Sequence, residues 1–331
     1  MLPPDPDDRE DGALQPSRTN SVVPAEAPAA VPIAAPERAP IPTVAEAVRA
    51  AALRLEAGGI ADPMAEARRI LAVAAGWRPI DIVTNSRAGL PEAAVERLEC
   101  VVAERLRRVP LTRIVGIREF YGRTFALSPD TLDPRPETET LVETVLDIVR
   151  RSGFDGRSCR ILDVGTGSGC ILISLLAEMP AATGTGIDIS DGAIAAAQEN
   201  AARLGVAPRA GFEAADMRHF DRGSFDLIVS NPPYIPTGDI AGLDPEVRCH
   251  DPIAALDGGA DGLDFYRVLA SYSKRLEPGG WLAVEVGAGQ APPVLDILTA
   301  GGRVAERLTV PDLAGHIRVV AVRPQPSSEA S

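Results

Sequence analysis

A short apolar run that turns through a glycine-rich pentapeptide into a helix limits this chain more than any other stretch. Ile161-Leu162-Asp163-Val164 leads into Gly165-Thr166-Gly167-Ser168-Gly169, and a helical run follows from Cys170 to about Glu178. Glycines at a strand-to-helix turn supply left-handed backbone angles and let a ligand approach the main chain. A second strand ends on Gly186-Ile187-Asp188, nineteen residues past Gly169, which puts an acid at the distance suited to ribose hydroxyls. Strand, helix and strand in this order make a parallel βαβ unit, so the fold class is α/β. Gly-x-Gly-x-Gly alone is a weak signal, because dinucleotide sites carry Gly-x-Gly-x-x-Gly. Asp163 before the glycines, Asp188 after them and the lack of a phosphate-binding lysine favour a nucleoside without a pyrophosphate. S-adenosylmethionine fits best, with Gly165, Thr166, Gly167, Ser168, Gly169 and Asp188 expected to hold it.

A third strand near Gly211–Ala215 delivers Asp216 and Met217. An acid there suits the exocyclic amine of an adenine and a thioether suits its ring, although a surface turn accounts for the pair equally simply. The fourth strand, Phe225–Val229, runs into Asn231-Pro232-Pro233-Tyr234. Two prolines fix two φ angles and remove two N–H groups, so the main chain there offers only acceptors. Asn231 adds an amide, and Tyr234 an aromatic face with a polar tip. Such a rim suits a planar NH2 group beside a positively charged methyl donor, whereas alone it also reads as a common Asn-Pro turn. A helix from about Leu263 to Leu276, a Pro278-Gly279-Gly280 turn, a strand Trp281–Glu285, a helix near Pro293–Leu298 and strands Val304–Leu308 and His316–Val322 complete the sheet.

Upstream, residues 1–42 carry ten of the thirty prolines and no periodic apolar pattern, so a disordered leader is expected. Thr43-x-x-Glu46 makes a capping box before an apolar face. Asp62-Pro63 and Pro91 start further helices, and together these give a small helical domain over 43–110 suited to holding a partner. Residues 113–128 alternate about Gly122 and predict a β-hairpin within a linker of 111–133. Residues 134–323 form the α/β domain, and 324–331 a frayed tail. Between Arg97 and Arg123 lie seven arginines against three glutamates. A solvated helix face explains that stripe, and a docking surface for an acidic or RNA-bound partner is the alternative.

The net charge of −13 argues against a surface built for nucleic acid. Cys100, Cys159, Cys170 and Cys249 form no CxxC pair, and with three scattered histidines no metal site is expected. Cys159 and Cys170 are expected to be buried free thiols, which fits a reducing cytosol. No apolar run reaches the ~18 residues of a membrane span, and the start of the chain lacks a signal-peptide pattern. A cytoplasmic monomer without membrane attachment is the expectation.

Asp163-Val-Gly-Thr-Gly-Ser-Gly169 with Asn231-Pro-Pro-Tyr234 resembles class I S-adenosylmethionine-dependent amino-methyltransferases. Pro110-Leu-Thr-Arg-Ile-Val-Gly-Ile-Arg-Glu-Phe-Tyr-Gly122, Pro134-Arg-Pro-Glu-Thr-Glu139 and Asp251-Pro-Ile-Ala-Ala-Leu-Asp-Gly-Gly259 narrow this. With the helical N-terminal domain they resemble the HemK/PrmC release factor glutamine methyltransferases, over roughly Thr43 to Arg323. The resemblance implies a Rossmann-like seven-stranded sheet with a terminal antiparallel strand. It also implies methyl transfer from S-adenosylmethionine, leaving S-adenosylhomocysteine, to the glutamine amide nitrogen in the Gly-Gly-Gln motif of class I peptide chain release factors. Gly165–Gly169, Asp188, Met217 and Asn231 are then the cofactor contacts, and Asn231–Tyr234 hold the glutamine. Asp251 stands where relatives more often show Glu, and Met217 where some carry Trp.

The chemistry expected is direct transfer to a weakly nucleophilic amide nitrogen, with Asn231, Pro232 and Tyr234 as the catalytic residues. Alignment and acceptors for the charge growing at nitrogen then carry the rate. Phe120 is expected to complete the substrate pocket with Asn231, Pro232, Pro233 and Tyr234. The main rival is a nucleic-acid methyltransferase acting on adenine N6 or a guanine amine, which are also planar NH2 groups. The arginine stripe is the one feature in its favour.

Overall fold

The computed structural model describes residues 41–152, 158–302 and 304–325. The leader expected over 1–42 therefore falls, apart from its last two residues, outside the described residues, as does most of the expected tail.

Helices α1 (Val44–Ala57), α2 (Pro63–Ala75), α3 (Pro79–Thr84) and α4 (Glu92–Leu106) open the described chain. The capping box at its start is formed: Glu46 N donates to Thr43 Oγ1 at 3.3 Å, and Thr43 N to Glu46 Oε2 at 2.8 Å. Val48, Leu55, Ile70, Leu71, Leu98 and Val102 close a core of their own, the amphipathic stripes facing inward.

A short helix α5 (Leu111–Val115) and strands β1 (Ile117–Phe120) and β2 (Arg123–Ala126) follow. The hairpin expected over 113–128 thus starts later than its alternation implies. Pro110 opens a helical turn that takes in Ile114 and Val115, and Gly116 ends it at φ 75°. A left-handed residue there is a helix stop that glycine supplies without strain.

The remaining elements are α6 (Glu139–Arg151), β3 (Arg160–Val164), α7 (Cys170–Glu178), β4 (Thr183–Asp188), α8 (Asp191–Arg203), β5 (Ala210–Ala214), β6 (Phe225–Ser230), α9 (Pro245–Arg248), α10 (Asp264–Ser271), β7 (Leu276–Glu285), α11 (Ala291–Thr299), β8 (Val304–Pro311) and β9 (Ile317–Pro324). Seven strands form one sheet in the order β5-β4-β3-β6-β7-β9-β8. The first five are parallel, and β9 runs antiparallel to both β7 and β8. Strand alternation sends Ile161, Leu227, Val229, Trp281 and Ala283 against α6 and α7. Leu162, Val164, Ile228, Leu282 and Val284 face α10 and α11 instead. Burial on both faces is why these strands read as continuous apolar runs.

The helix expected to Leu276 ends at Ser271, and the strand after it also starts elsewhere. The strand expected from Trp281 begins at Leu276 and takes in the Pro278-Gly279-Gly280 turn. Leu276 pairs with Phe225, and the ladder shifts register before Leu227, so sheet pairing overrides the local turn. Among the described residues no helix is long and apolar enough to cross a membrane.

All seven arginines of the 97–123 stripe are engaged within the chain. Arg105 donates to Glu66 at 2.7 Å and to Glu246 on α9 at 3.1 Å, and Arg108 to Glu246 at 3.0 Å. Arg113 meets Asp251 at 2.6 Å, Arg118 lies 3.6 Å from Asp133, and Arg123 reaches Glu178. Arg97 donates to the Ala74 carbonyl and Arg107 pairs with Glu104. Arg107 keeps to its own helix face and Arg97 to the helical unit, while Arg105 and Arg108 tie that unit to α9 and Arg113 ties α5 to Asp251.

Asp251 is the deepest of these ties. It is 7% exposed and takes Arg113 on one oxygen and Arg135 on the other, each at 2.6 Å. Removing one partner of a buried ion pair strands the other. Asp251→Ala is accordingly expected to lower unfolding stability by about 3–5 kcal/mol, read by denaturant titration.

Candidate active site

Sheet order places the site. The chain runs outward from β3 to β4 and β5, then returns to β6 on the other side of β3. A crevice opens at the carboxyl ends where the direction of winding reverses. Val164 pairs with Ser230, and the Ser230 hydroxyl donates to the Val164 carbonyl at 2.7 Å. The glycine turn and Asn231-Pro-Pro-Tyr234 thus leave adjacent strands at the same level and flank that crevice.

On the β3 side, Gly165, Gly167 and Gly169 have φ of 74°, 55° and 79°. A Cβ at Gly165 or Gly167 would meet nothing within 4 Å, so the turn borders open space that any side chain would fill. Asp188, at the end of β4, accepts from Gly167 N at 2.9 Å and from Ser190 N at 3.0 Å. Asp163 is buried; its Oδ2 accepts from the Thr166 hydroxyl at 2.7 Å, and its Oδ1 has no partner. Burial pushes its carboxyl up to about 7, against the Thr166 hydrogen bond. An open glycine cradle beside the partly exposed Asp188 fits a nucleoside with hydroxyls to donate, and the fully buried Asp163 braces the turn from within through Thr166. Asp216 accepts from Arg218 N at 2.8 Å, and the Met217 carbonyl accepts from the Tyr272 hydroxyl at 2.7 Å. The Met217 side chain packs against the cluster that holds Phe220 and Tyr272.

On the β6 side, Pro232 is buried while Asn231, Pro233 and Tyr234 keep partial exposure. Asn231 Nδ2 donates to Thr138 Oγ1 at 3.1 Å. The Tyr234 carbonyl accepts from Gln290 Nε2 at 2.9 Å, and Gln290 Oε1 accepts from Gly287 N at 3.0 Å. Ile235 exchanges backbone bonds with the Asp251–Gly259 stretch, its N–H donating to the Leu256 carbonyl and its carbonyl accepting from Gly258 N. A Cβ on Gly258 would lie 2.9 Å from the Pro233 carbonyl and from Tyr234 Cα, which only a bare glycine tolerates. Glu285, at the end of β7, is 1% exposed and lies against the Thr138 hydroxyl. Burial pushes the Glu285 carboxyl up to about 7, against the Thr138 hydrogen bond, and lifts the Tyr234 phenol to about 12, with the Glu285 charge adding to the rise.

Phe120 does not belong with these residues. It is 1% exposed and packs edge-on against Phe125, ring centroids 6.1 Å apart, within the core beneath α6 and α7. Alternation in β1 gave no way to tell a pocket wall from a core anchor. Conversely, Thr138, Gln290, Gly258 and Glu285 carry site geometry and were not singled out. Glu285 had a readable signal, since a carboxylate closes the otherwise apolar run Trp281–Val284.

A parallel sheet whose terminal hairpin strand inserts antiparallel, with a glycine cradle and an Asn-Pro-Pro-Tyr corner at its switch point, defines a class I S-adenosylmethionine-dependent methyltransferase. Two family models match, a PrmC N-terminal domain over residues 46–116 and a methyltransferase domain over 155–291. The release factor glutamine methyltransferase of Rhodospirillum rubrum is 48% identical over 274 residues, 82% of each chain. That of Bradyrhizobium diazoefficiens is 44% identical, over 86% of this chain and 96% of its own. This chain belongs to the release factor glutamine methyltransferase family. The hMettl16 catalytic domain, solved in complex with a MAT2A 3'UTR hairpin, shares the fold alone. It is 17% identical over 69% of this chain and 83% of that one, with a TM-score of 0.50.

Two outcomes follow from this geometry. Gly258→Ala is expected to displace Pro233 and Tyr234 and lower turnover by about 10²-fold, the order that misplacement of about 1 Å costs. Steady-state kinetics beside a melting curve will read it. Glu285 holds its proton to about pH 7 in the folded chain, against the ordinary glutamate value of 4.5. Its stabilising contribution is therefore complete below the lower value and lost as pH rises through the higher. Melting temperature in Glu285→Gln is expected to fall less than in the wild type between about pH 5 and about pH 8.

Proposed function

We propose that this chain transfers a methyl group from S-adenosylmethionine to the side-chain amide nitrogen (N5) of the glutamine in the Gly-Gly-Gln motif of class I peptide chain release factors. One observation carries the reading: a rigid, acceptor-lined corner on β6 stands level with, and one strand away from, the open glycine turn on β3. Gly165, Thr166, Gly167, Ser168, Gly169, Asp188, Asp216 and Met217 would hold S-adenosylmethionine there. When bound, it supplies a methyl carbon made electrophilic by its sulfonium.

The chain's own residues then do three things. Asn231 has its NH2 committed to Thr138, so its Oδ1 is the atom left to accept an N–H of the substrate amide. Pro232, which has no N–H, adds a carbonyl acceptor. Both bonds strengthen as positive charge grows on the attacking nitrogen, so they favour the transition state over the ground state. Tyr234 packs its ring along the amide plane and excludes water, its phenol kept neutral by burial. No base is required ahead of transfer, because the amide attacks as a neutral group and sheds its proton afterwards.

We take residues 43–110 as the unit that holds the release factor, 111–133 as a linker and 134–323 as the catalytic domain. The chain acts as a cytoplasmic monomer without a stable nucleic-acid partner. Pairing of the 97–123 arginines within the chain supports the protein substrate over a nucleic acid.

Purified release factor incubated with the enzyme and labelled S-adenosylmethionine is expected to gain one methyl group on the Gly-Gly-Gln glutamine, located by mass spectrometry. Asn231→Ala is expected to lower that rate by about 10²-fold or more. Label in RNA or DNA instead of protein, or near-normal turnover in the variant, would overturn the reading.

A further inference from the structure

Glu285 is a buried carboxyl for which methyl transfer, as described, has no use. Once ionised it costs stability where it stands, because a carboxylate out of water is expensive unless paired. One of its oxygens, Oε2, has no partner. Groups facing it come from four directions: Thr138, Glu137 and Arg135 from the turn before α6, Tyr234 from the β6 corner, Tyr266 from α10, and Arg318 from β9. Cys170, at the start of α7, also feels its charge. Most are spent elsewhere. Arg318 donates to Asp312 at 3.0 Å and to the Val286 carbonyl at 3.3 Å. The Tyr266 hydroxyl donates to Glu285's own main-chain carbonyl at 2.9 Å. Arg135 holds Asp251.

Thr138 is the exception, and its hydroxyl has a single proton. Its oxygen already accepts from Asn231 Nδ2, and its remaining neighbour is the Glu285 carboxyl. An ionised carboxyl can only accept, so the hydroxyl proton points to Glu285 and the Asn231 amide must turn its NH2 toward Thr138. Donation then runs one way, Asn231 to Thr138 to Glu285. We propose that Glu285 is a positioning residue for methyl transfer, which acts through the Thr138 hydroxyl to fix the Asn231 amide with Oδ1 toward the glutamine nitrogen. This rests on the reading of Asn231 given above. A protonated Glu285 can itself donate to Thr138, which frees the hydroxyl proton and lets the amide turn over. Its carboxyl, lifted to about 7 by burial, would make that loss of direction visible in the working pH range.

The test uses the full chain, a purified class I release factor and labelled S-adenosylmethionine, with kcat and KM followed from about pH 5.5 to about pH 8.5. Glu285→Gln is expected to lower kcat about 10-fold, to leave KM for both substrates within about 2-fold, and to flatten the rise of kcat through about pH 7. Thr138→Val should match it, and the double variant should be no worse than either single one, because the residues act as a unit. Thr138→Ser, which keeps the hydroxyl, should recover most of the loss. Wild-type kcat and pH profile in Glu285→Gln, or losses that multiply in the double variant, would overturn the inference. Should Glu285→Gln fail to fold by its melting curve, equal kcat in Thr138→Val and Thr138→Ser overturns it as well. A wild-type enzyme that places no methyl on the release factor sinks the parent reading instead.

Discussion

Pairing of β3 with β6 is the contact on which the remaining structure depends. Val164 and Ser230 sit opposite each other, and a buried hydroxyl-to-carbonyl bond fastens them. Everything that follows Val164 is a glycine turn, and everything that follows Ser230 is a proline-stiffened corner. Because register in a buried sheet is set by which side chains face which helix layer, a slip of one residue would turn Ile161 and Leu227 out of their layer. The distance between the two loops is therefore guarded by the whole core and not by the loops themselves.

A second layer of restraint holds the corner from behind. Gln290 grips the Tyr234 carbonyl, the Asp251–Gly259 stretch pairs with Ile235, and Gly258 lies flat against Pro233 and Tyr234. Asp251 at the head of that stretch is held by Arg113 from α5 and Arg135 from the turn before α6. Thr138, three residues beyond Arg135, then reaches Asn231 itself. Three sequence stretches that look independent along the chain are thus one mechanical assembly around the same tetrapeptide.

Much of this was legible beforehand, for identifiable reasons. The βαβ unit, the glycine turn and the corner after Val229 rest on local patterns that a chain cannot easily disguise. Ends of elements were less readable where long-range pairing decides them. Ile114 and Val115 fell into α5 because Pro110 and Gly116 bracket a helical turn, and β7 reached back to Leu276 because Phe225 was there to pair with it. Phe120 lies in the core and not in the pocket, because an alternating strand says which residues share a face, not what covers it. Most of the arginine stripe escapes local reading for a related reason. Arg107 pairs with Glu104 as helical spacing predicts, but Glu66, Glu178, Glu246 and Asp251 lie 39 to 141 residues from their arginines in the chain, beyond the reach of any helical spacing rule.

Arg105 sits 8% exposed between Glu66 on α2 and Glu246 on α9. That single guanidinium makes the helical unit and the loop beyond the tyrosine corner partners in one electrostatic account. A lineage that swapped its front module for a foreign one would leave Glu246, twelve residues past Tyr234, without the two cations that now hold it. Such an exchange would cost two ion pairs even where both pieces fold, so the helical unit and the sheet domain are matched in charge as well as joined by chain.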